Sequence, residues 1–174
     1  MKRAQEWSDD LTKFLEDYRY QPNLTPKLDA LTTTPFDQNV VNEIVLWKVN
    51  RYAPLEPEAL EALNGLKEIS HKKHRTAEDA LRTLLRQPGI DLPMASTLMR
   101  FRNPSTFQII DRRAYRAVNG DDYPLYSTSG AKRKADLYFD YLDKLIELAT
   151  EKGIEFRHLD RILYVFDKQN NGAL

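Results

Sequence analysis

The stretch FQIIDRRAYRAV, residues 107–118, sets one carboxylate among three arginines. From Pro93 to Val118 the only acid is Asp111, while Arg100, Arg102, Arg112, Arg113 and Arg116 are all basic. A carboxylate in this company has two uses. It can cap the helix that starts there and pair with Arg112 or Arg116. Alternatively, the arginines bring an anion to it, since guanidinium forks match phosphate oxygens, and the carboxylate works on that ligand.

Three other groups have residue types suited to chemistry. On a wheel at 100° per residue, a helix over 36–52 places Phe36, Val40, Val41, Ile44, Val45, Trp47, Val49 and Tyr52 on one apolar arc. Asp37, Lys48 and Arg51 fall inside that arc. They line a pocket, with Trp47 or Tyr52 as a stacking surface, or they form an internal ion pair with their stems along the core. The turn Pro88-Gly89-Ile90-Asp91 lies between two apolar-periodic segments. Gly89 permits a positive φ, and amides of the turn and of the next helix would face an anionic oxygen. The bland reading is an ordinary helical corner. Finally, His71 and His74 have metal-ligand spacing, but four basic neighbours make a solvated, phosphate-facing loop the expectation.

These groups must be positioned by a soluble-type chain of 174 residues, 41% hydrophobic and 30% charged, with zero net charge and no cysteine. Thiol nucleophiles, disulfides and cysteine-held metal clusters are excluded. No apolar run is long enough to span a membrane and the N-terminus lacks a signal core, so a cytoplasmic protein is expected. A neutral chain that binds nucleic acid must concentrate its basic surface, as the arginine segment and KEISHKKHR, 67–75, would do.

Periodicity and breakers predict helices almost throughout: about 3–17, 36–52, after Pro57, from an N-cap at Thr76 paired with Asp79, from Leu92 to near Asn103, from Asp111 to Asn119, 131–152 and 156–168. FQII reads as a short extended approach to Asp111. No segment alternates like a strand. Asp160, beside the apolar face of the last helix, is expected to anchor an arginine of the Asp111 helix. Tyr138, Tyr141, Leu142 and Leu145 read as core packing.

With PGI at 88–90, the small Ala95, the apolar IID at 109–111 and Arg116 five residues beyond the aspartate, the chain resembles the helix-hairpin-helix DNA glycosylase superfamily over about 84–118. The resemblance implies an orthogonal all-α fold with Asp111 as the catalytic carboxylate. It also implies a base pocket bordered by the 36–52 helix. Departures from the pattern also have consequences. Asp91 replaces the second hairpin glycine, a good helix cap where a phosphate should approach. Pro93 stands where bifunctional members carry a Schiff-base lysine, so no lyase lysine is implied. Arg112 and Arg113 replace the usual threonine and histidine.

The expectation is therefore one all-α domain over 1–174, a monomeric, monofunctional DNA glycosylase acting on a flipped base. Asp111 is the catalytic group, and Asp37, Trp47, Lys48, Arg51 and Tyr52 line the base pocket. Pro88, Gly89, Ile90, Asp91, Arg100, Arg102, Arg112, Arg113 and Arg116 hold DNA. No cofactor or metal is expected, with room for a monovalent or divalent cation at the hairpin. The competing readings are an inactive DNA-binding module of the same fold, and an interaction protein whose arginines face an acidic partner.

Overall fold

Prolines and glycines cut the chain into short helices. The structure, a computed structural model, describes residues 1–22, 24–49 and 54–173. Its α-helices are α1 (Lys13–Glu16), α2 (Thr25–Asp29), α3 (Gln38–Val49), α4 (Pro57–Gly65), α5 (Glu78–Leu85), α6 (Leu92–Arg102), α7 (Arg112–Asn119), α8 (Ala131–Lys152) and α9 (Leu159–Asn170). No strand occurs among the described residues, so the fold is all-α as expected. None of these helices is long and apolar enough to cross a membrane.

Helices this short are marginal alone and hold only by packing their apolar faces. They do so around one cluster whose largest fully buried side chains include Tyr138, Tyr141, Phe101, Phe107 and Phe166. The 22-residue α8 packs on α5 and α7, and α9 packs on α7 and α1. Gly120 ends α7 at φ +77° and donates its N–H to the Arg116 carbonyl, a left-handed stop natural for glycine. The chain ends are clasped: the Lys2 N–H donates to Asn171 Oδ1 at 2.9 Å, and Asn171 Nδ2 donates to the Lys2 carbonyl at 3.2 Å.

Three boundaries differ from expectation. Residues 3–17 form a 3-10 turn, Ala4–Glu6, and the four-residue α1 rather than one helix. Asp10 is the reason: its carboxylate accepts the Thr12 amide and hydroxyl, an alternative to helical pairing. Thr76 lies inside a 3-10 turn, His74–Ala77, with its hydroxyl donating back to the Lys73 carbonyl, so it does not cap α5. The last helix is entered through a 3-10 turn, Phe156–His158.

Candidate functional site

The backbone leading into Asp111 forms neither helix nor strand, is fully buried at Phe107, Gln108 and Ile110, and reaches an extended conformation at Asp111 itself. Buried peptide groups need partners, and here side chains supply them. The Tyr138 hydroxyl donates to the Gln108 carbonyl at 2.9 Å and the Tyr141 hydroxyl to the Ile109 carbonyl at 3.0 Å. The Ile110 N–H donates to Ser96 Oγ at 3.2 Å. Gln108 Oε1 accepts the Asp160 N–H at 3.1 Å, tying the segment to α9. Tyr138 and Tyr141, expected only to pack, therefore also bond the backbone that positions Asp111. Burial holds both phenols protonated, so they remain donors.

Asp111 is the N-cap of α7. Its Oδ1 accepts the Ala114 N–H at 2.8 Å, and among the described residues the carboxylate makes no ion pair. It stands where two cavities meet. One, of about 130 Å³, is walled by Tyr18, Tyr20, Trp47 and Tyr164, with Lys48, Ile109, Asp160 and Arg161 completing it. The other is an open groove of about 640 Å³ running past Asp91, Pro93, Arg112 and Arg113 to Tyr123, Leu125, Tyr126 and Ser127. Asp111 and Tyr164 line both.

The walls are held from behind. The Trp47 indole N–H donates to Thr25 Oγ1 at 2.8 Å, and its ring meets Tyr20 and Phe101 edge-on at 4.9 and 5.1 Å. The Tyr20 hydroxyl donates to the Trp47 carbonyl at 3.0 Å. The Lys48 ammonium lies 5.9 Å from the Trp47 ring centre, and the Arg161 guanidinium 5.3 Å from that of Tyr18. Burial pushes the Tyr18 phenol well above its ordinary value, helped by the Asp160 charge.

The arginines are the main correction. Arg100 is buried and bonded to Asp29 at 2.6 Å and to the Arg157 carbonyl, with Asp160 3.3 Å from its Nε. Arg102 is buried against the carbonyls of Asn64 and Thr32, with its guanidinium over Phe36. Arg116 forms a two-pronged bond to Asp167 at 2.8 and 2.7 Å, and Arg113 reaches the same carboxylate at 3.0 Å. Arg100, Arg102 and Arg116 thus stitch helices together and present no surface to DNA. The acid that anchors the α7 arginines is Asp167, while Asp160 serves Arg100 on α6. Of the five arginines, Arg112 alone is exposed, and it makes no ion pair among the described residues.

The other expected residues also divide. Trp47 and Lys48 reach the pocket. Asp37 does not: it precedes α3, is exposed, and accepts the Val40 N–H at 2.9 Å. The wheel placed it inside the helix, whereas it caps the helix. Arg51 and Tyr52 lie outside the described residues.

At the turn between α5 and α6, Gly89 has φ +77°, Pro88 and Gly89 are exposed and Ile90 is buried. Asp91 caps α6 through Leu92 N–H and takes the Lys134 ammonium at 2.7 Å. The amine, itself buried and also bonded to the Ser127 carbonyl, supplies the counter-charge expected from a bridging cation. His74 is buried rather than solvated, and its Nε2 stands 3.0 Å from Asp143. Burial lowers its pKa, and Asp143 opposes that shift. No cluster of three metal-ligating side chains occurs among the described residues.

Sequence reasoning missed Tyr18, Tyr20, Tyr164 and Arg161. The signal was there: two tyrosines crowd into YRY beside the helix-breaking QPN, and Tyr164 lies off the apolar stripe of α9. Compared with known protein families, curated proteins and solved structures, the chain matches none.

Proposed function

We propose that the chain is a monomeric, monofunctional DNA glycosylase that hydrolyses the bond between a flipped base and its sugar. One observation carries the reading. A carboxylate fixed by its own helix cap, and engaged by no arginine, stands where an aromatic slot opens into a groove. The slot would take the extruded base, since a base must leave the stack before its sugar bond can be reached. The groove would take the strand, with Arg112 on a flanking phosphate. As the bond breaks, its electron pair leaves with the base and positive charge grows on the sugar. Asp111 stabilises that charge and orients a water, whose oxygen bonds to the sugar carbon while its proton ends on the base. Pro93 offers no amine at the hairpin position. The acidic-partner alternative loses its surface, because three of the five arginines are buried.

The test is mass spectrometry of free bases released from a panel of modified duplexes by the wild type and by Asp111→Asn. Asparagine caps a helix about as well as aspartate, so the fold should hold to within about 1 kcal/mol. Loss of the preorganised charge should slow release by about 10²–10³-fold while DNA binding persists. Equal release by the variant, or no release from any duplex by the wild type, refutes the reading. Binding without release identifies an inactive DNA-binding module.

A further inference from the structure

We propose that the DNA path crosses the slot rather than ending at it, and that Arg19 and Lys168 each engage a backbone phosphate of the target strand beyond Tyr164. The inference rests on the glycosylase reading of this site and assigns the second half of its DNA contact.

Connectivity is the first argument. An extruded nucleotide lies within a strand, so the backbone leaves the slot in two directions and needs a surface for each. The groove past Arg112 is one. A third cavity, a hollow of about 380 Å³, is lined by Asp17, Arg19, Tyr20, Tyr164, Lys168 and Gln169. Tyr164 borders groove, slot and hollow alike, and Tyr20 borders both slot and hollow. The Tyr164 ring is thus the ridge at which the three meet. It is fixed there, with the Tyr18 and Tyr20 ring centres at 6.3 and 6.5 Å and the Arg113 guanidinium at 5.9 Å. A strand that lies in the groove and continues into the hollow passes the slot at this ridge.

Charge is the second. Arg19 and Lys168 are both exposed, and the Lys168 ammonium makes no hydrogen bond or ion pair among the described residues. Arg19 Nη1 donates to the carbonyls of Glu16 and Tyr18, the latter at 3.0 Å, where α1 ends. That anchors one prong of the guanidinium and leaves Nε and Nη2 to face an anion. The one acid of the hollow, Asp17, accepts the Gln169 amide at 2.8 Å and pairs with neither cation. Two cations to one carboxylate leave the hollow net positive on a chain whose net charge is zero. Phosphates complement it, and a strand led there by the groove supplies them. An acidic peptide would meet the same charges but would have nothing to place in the aromatic slot.

The experiment follows the anisotropy of a labelled duplex carrying one abasic-site analogue, titrated with the full chain over a series of salt concentrations. Each phosphate contact adds about 0.9 to the slope of log affinity against log salt, so Arg19→Gln with Lys168→Gln should weaken binding and make that slope shallower by about 1.8. Lys168→Gln alone, at an exposed side chain with no bond to lose, should give about half of that change and keeps the test valid if Arg19 supports α1. Lys67→Gln with Lys73→Gln removes the same charge from the other basic stretch and should change the slope less. Position is read by moving the analogue toward one end of the duplex or the other. The wild type should lose affinity with either flank shortened, and the Arg19, Lys168 variant with only one, because the other flank has already lost its contacts. An unchanged slope in that variant and in Lys168→Gln, or an equal change from the Lys67, Lys73 pair, overturns the inference, and base release by the wild type then leaves the glycosylase reading standing. The expected binding pattern without release from any duplex does the reverse. No DNA binding by the wild type overturns both.

Discussion

Asp167→Asn tests whether the arginines near the site are committed to structure. Asp167 is fully buried and accepts two bonds from Arg116, one from Arg113 and one from Asn171 at 2.9 Å. Asparagine keeps the volume, removes the charge and turns an amide N–H₂ toward guanidinium N–H groups. Arg116, 5% exposed, would keep only neutral acceptors, the one remaining amide oxygen and the carbonyls of Ala173 and Gly172 at 3.3 and 3.4 Å. Removing one partner of a buried pair strands the other charge, which costs about 3–5 kcal/mol. A domain of this size has about 5–15 kcal/mol in all, so the variant should unfold at a much lower urea concentration. The assay is urea denaturation followed by circular dichroism, with the slope checked for constancy. The double variant Arg116→Met, Asp167→Leu should recover much of the loss, since an apolar pair strands no charge. A loss below about 1 kcal/mol for Asp167→Asn would refute the reasoning, because a buried pair worth so little could not hold the arginines away from Asp111.

Tyr141→Phe leaves the buried Ile109 carbonyl without its donor and should cost about 1–3 kcal/mol, read by the same denaturation. Thr25→Val strips the Trp47 indole of its acceptor at a similar cost of about 1–3 kcal/mol, and the tryptophan emission should change. Stability should also fall in acid through Asp29. Burial alone would raise that carboxyl, but hydrogen bonds from Arg161 and the charges of Arg100 and Arg161 bring it below its ordinary value. A carboxylate lowered in the folded state contributes fully above its unfolded pKa and loses that contribution as pH falls through the folded one. Asp29→Asn should therefore flatten the acid limb of a stability–pH curve, and an unchanged limb would rule Asp29 out as its source.

Most of the helices were legible because their signals are local. Ala131–Lys152 is a 22-residue amphipathic run bounded by Gly130 and Gly153, and both ends fall where the pattern places them. Trp7, Leu11, Phe14 and Leu15 are spaced like a helix, yet the Asp10 side chain competes for the backbone between them. The arginines were misread for a different reason. Arg100 finds Asp29, 71 residues away, and Arg116 finds Asp167, 51 away. Nothing near a charged residue in sequence reveals a partner that only the packing supplies. The same holds for the pocket, whose walls at Tyr18, Tyr20, Trp47 and Tyr164 come from three distant stretches. Asp111 was legible because its cap, its apolar approach and its helix are all consecutive.

Gln108 has a consequence for motion. Its carbonyl is held by Tyr138 and its side-chain oxygen holds the N–H of Asp160, while Asp111 follows three residues later on the same fixed backbone. Asp160 and Asp111, which both line the aromatic pocket, hang from one glutamine. They cannot separate without breaking buried bonds, so the distance between them is built in rather than induced. A ligand entering this site finds it already set, and the work of changing shape falls on the ligand.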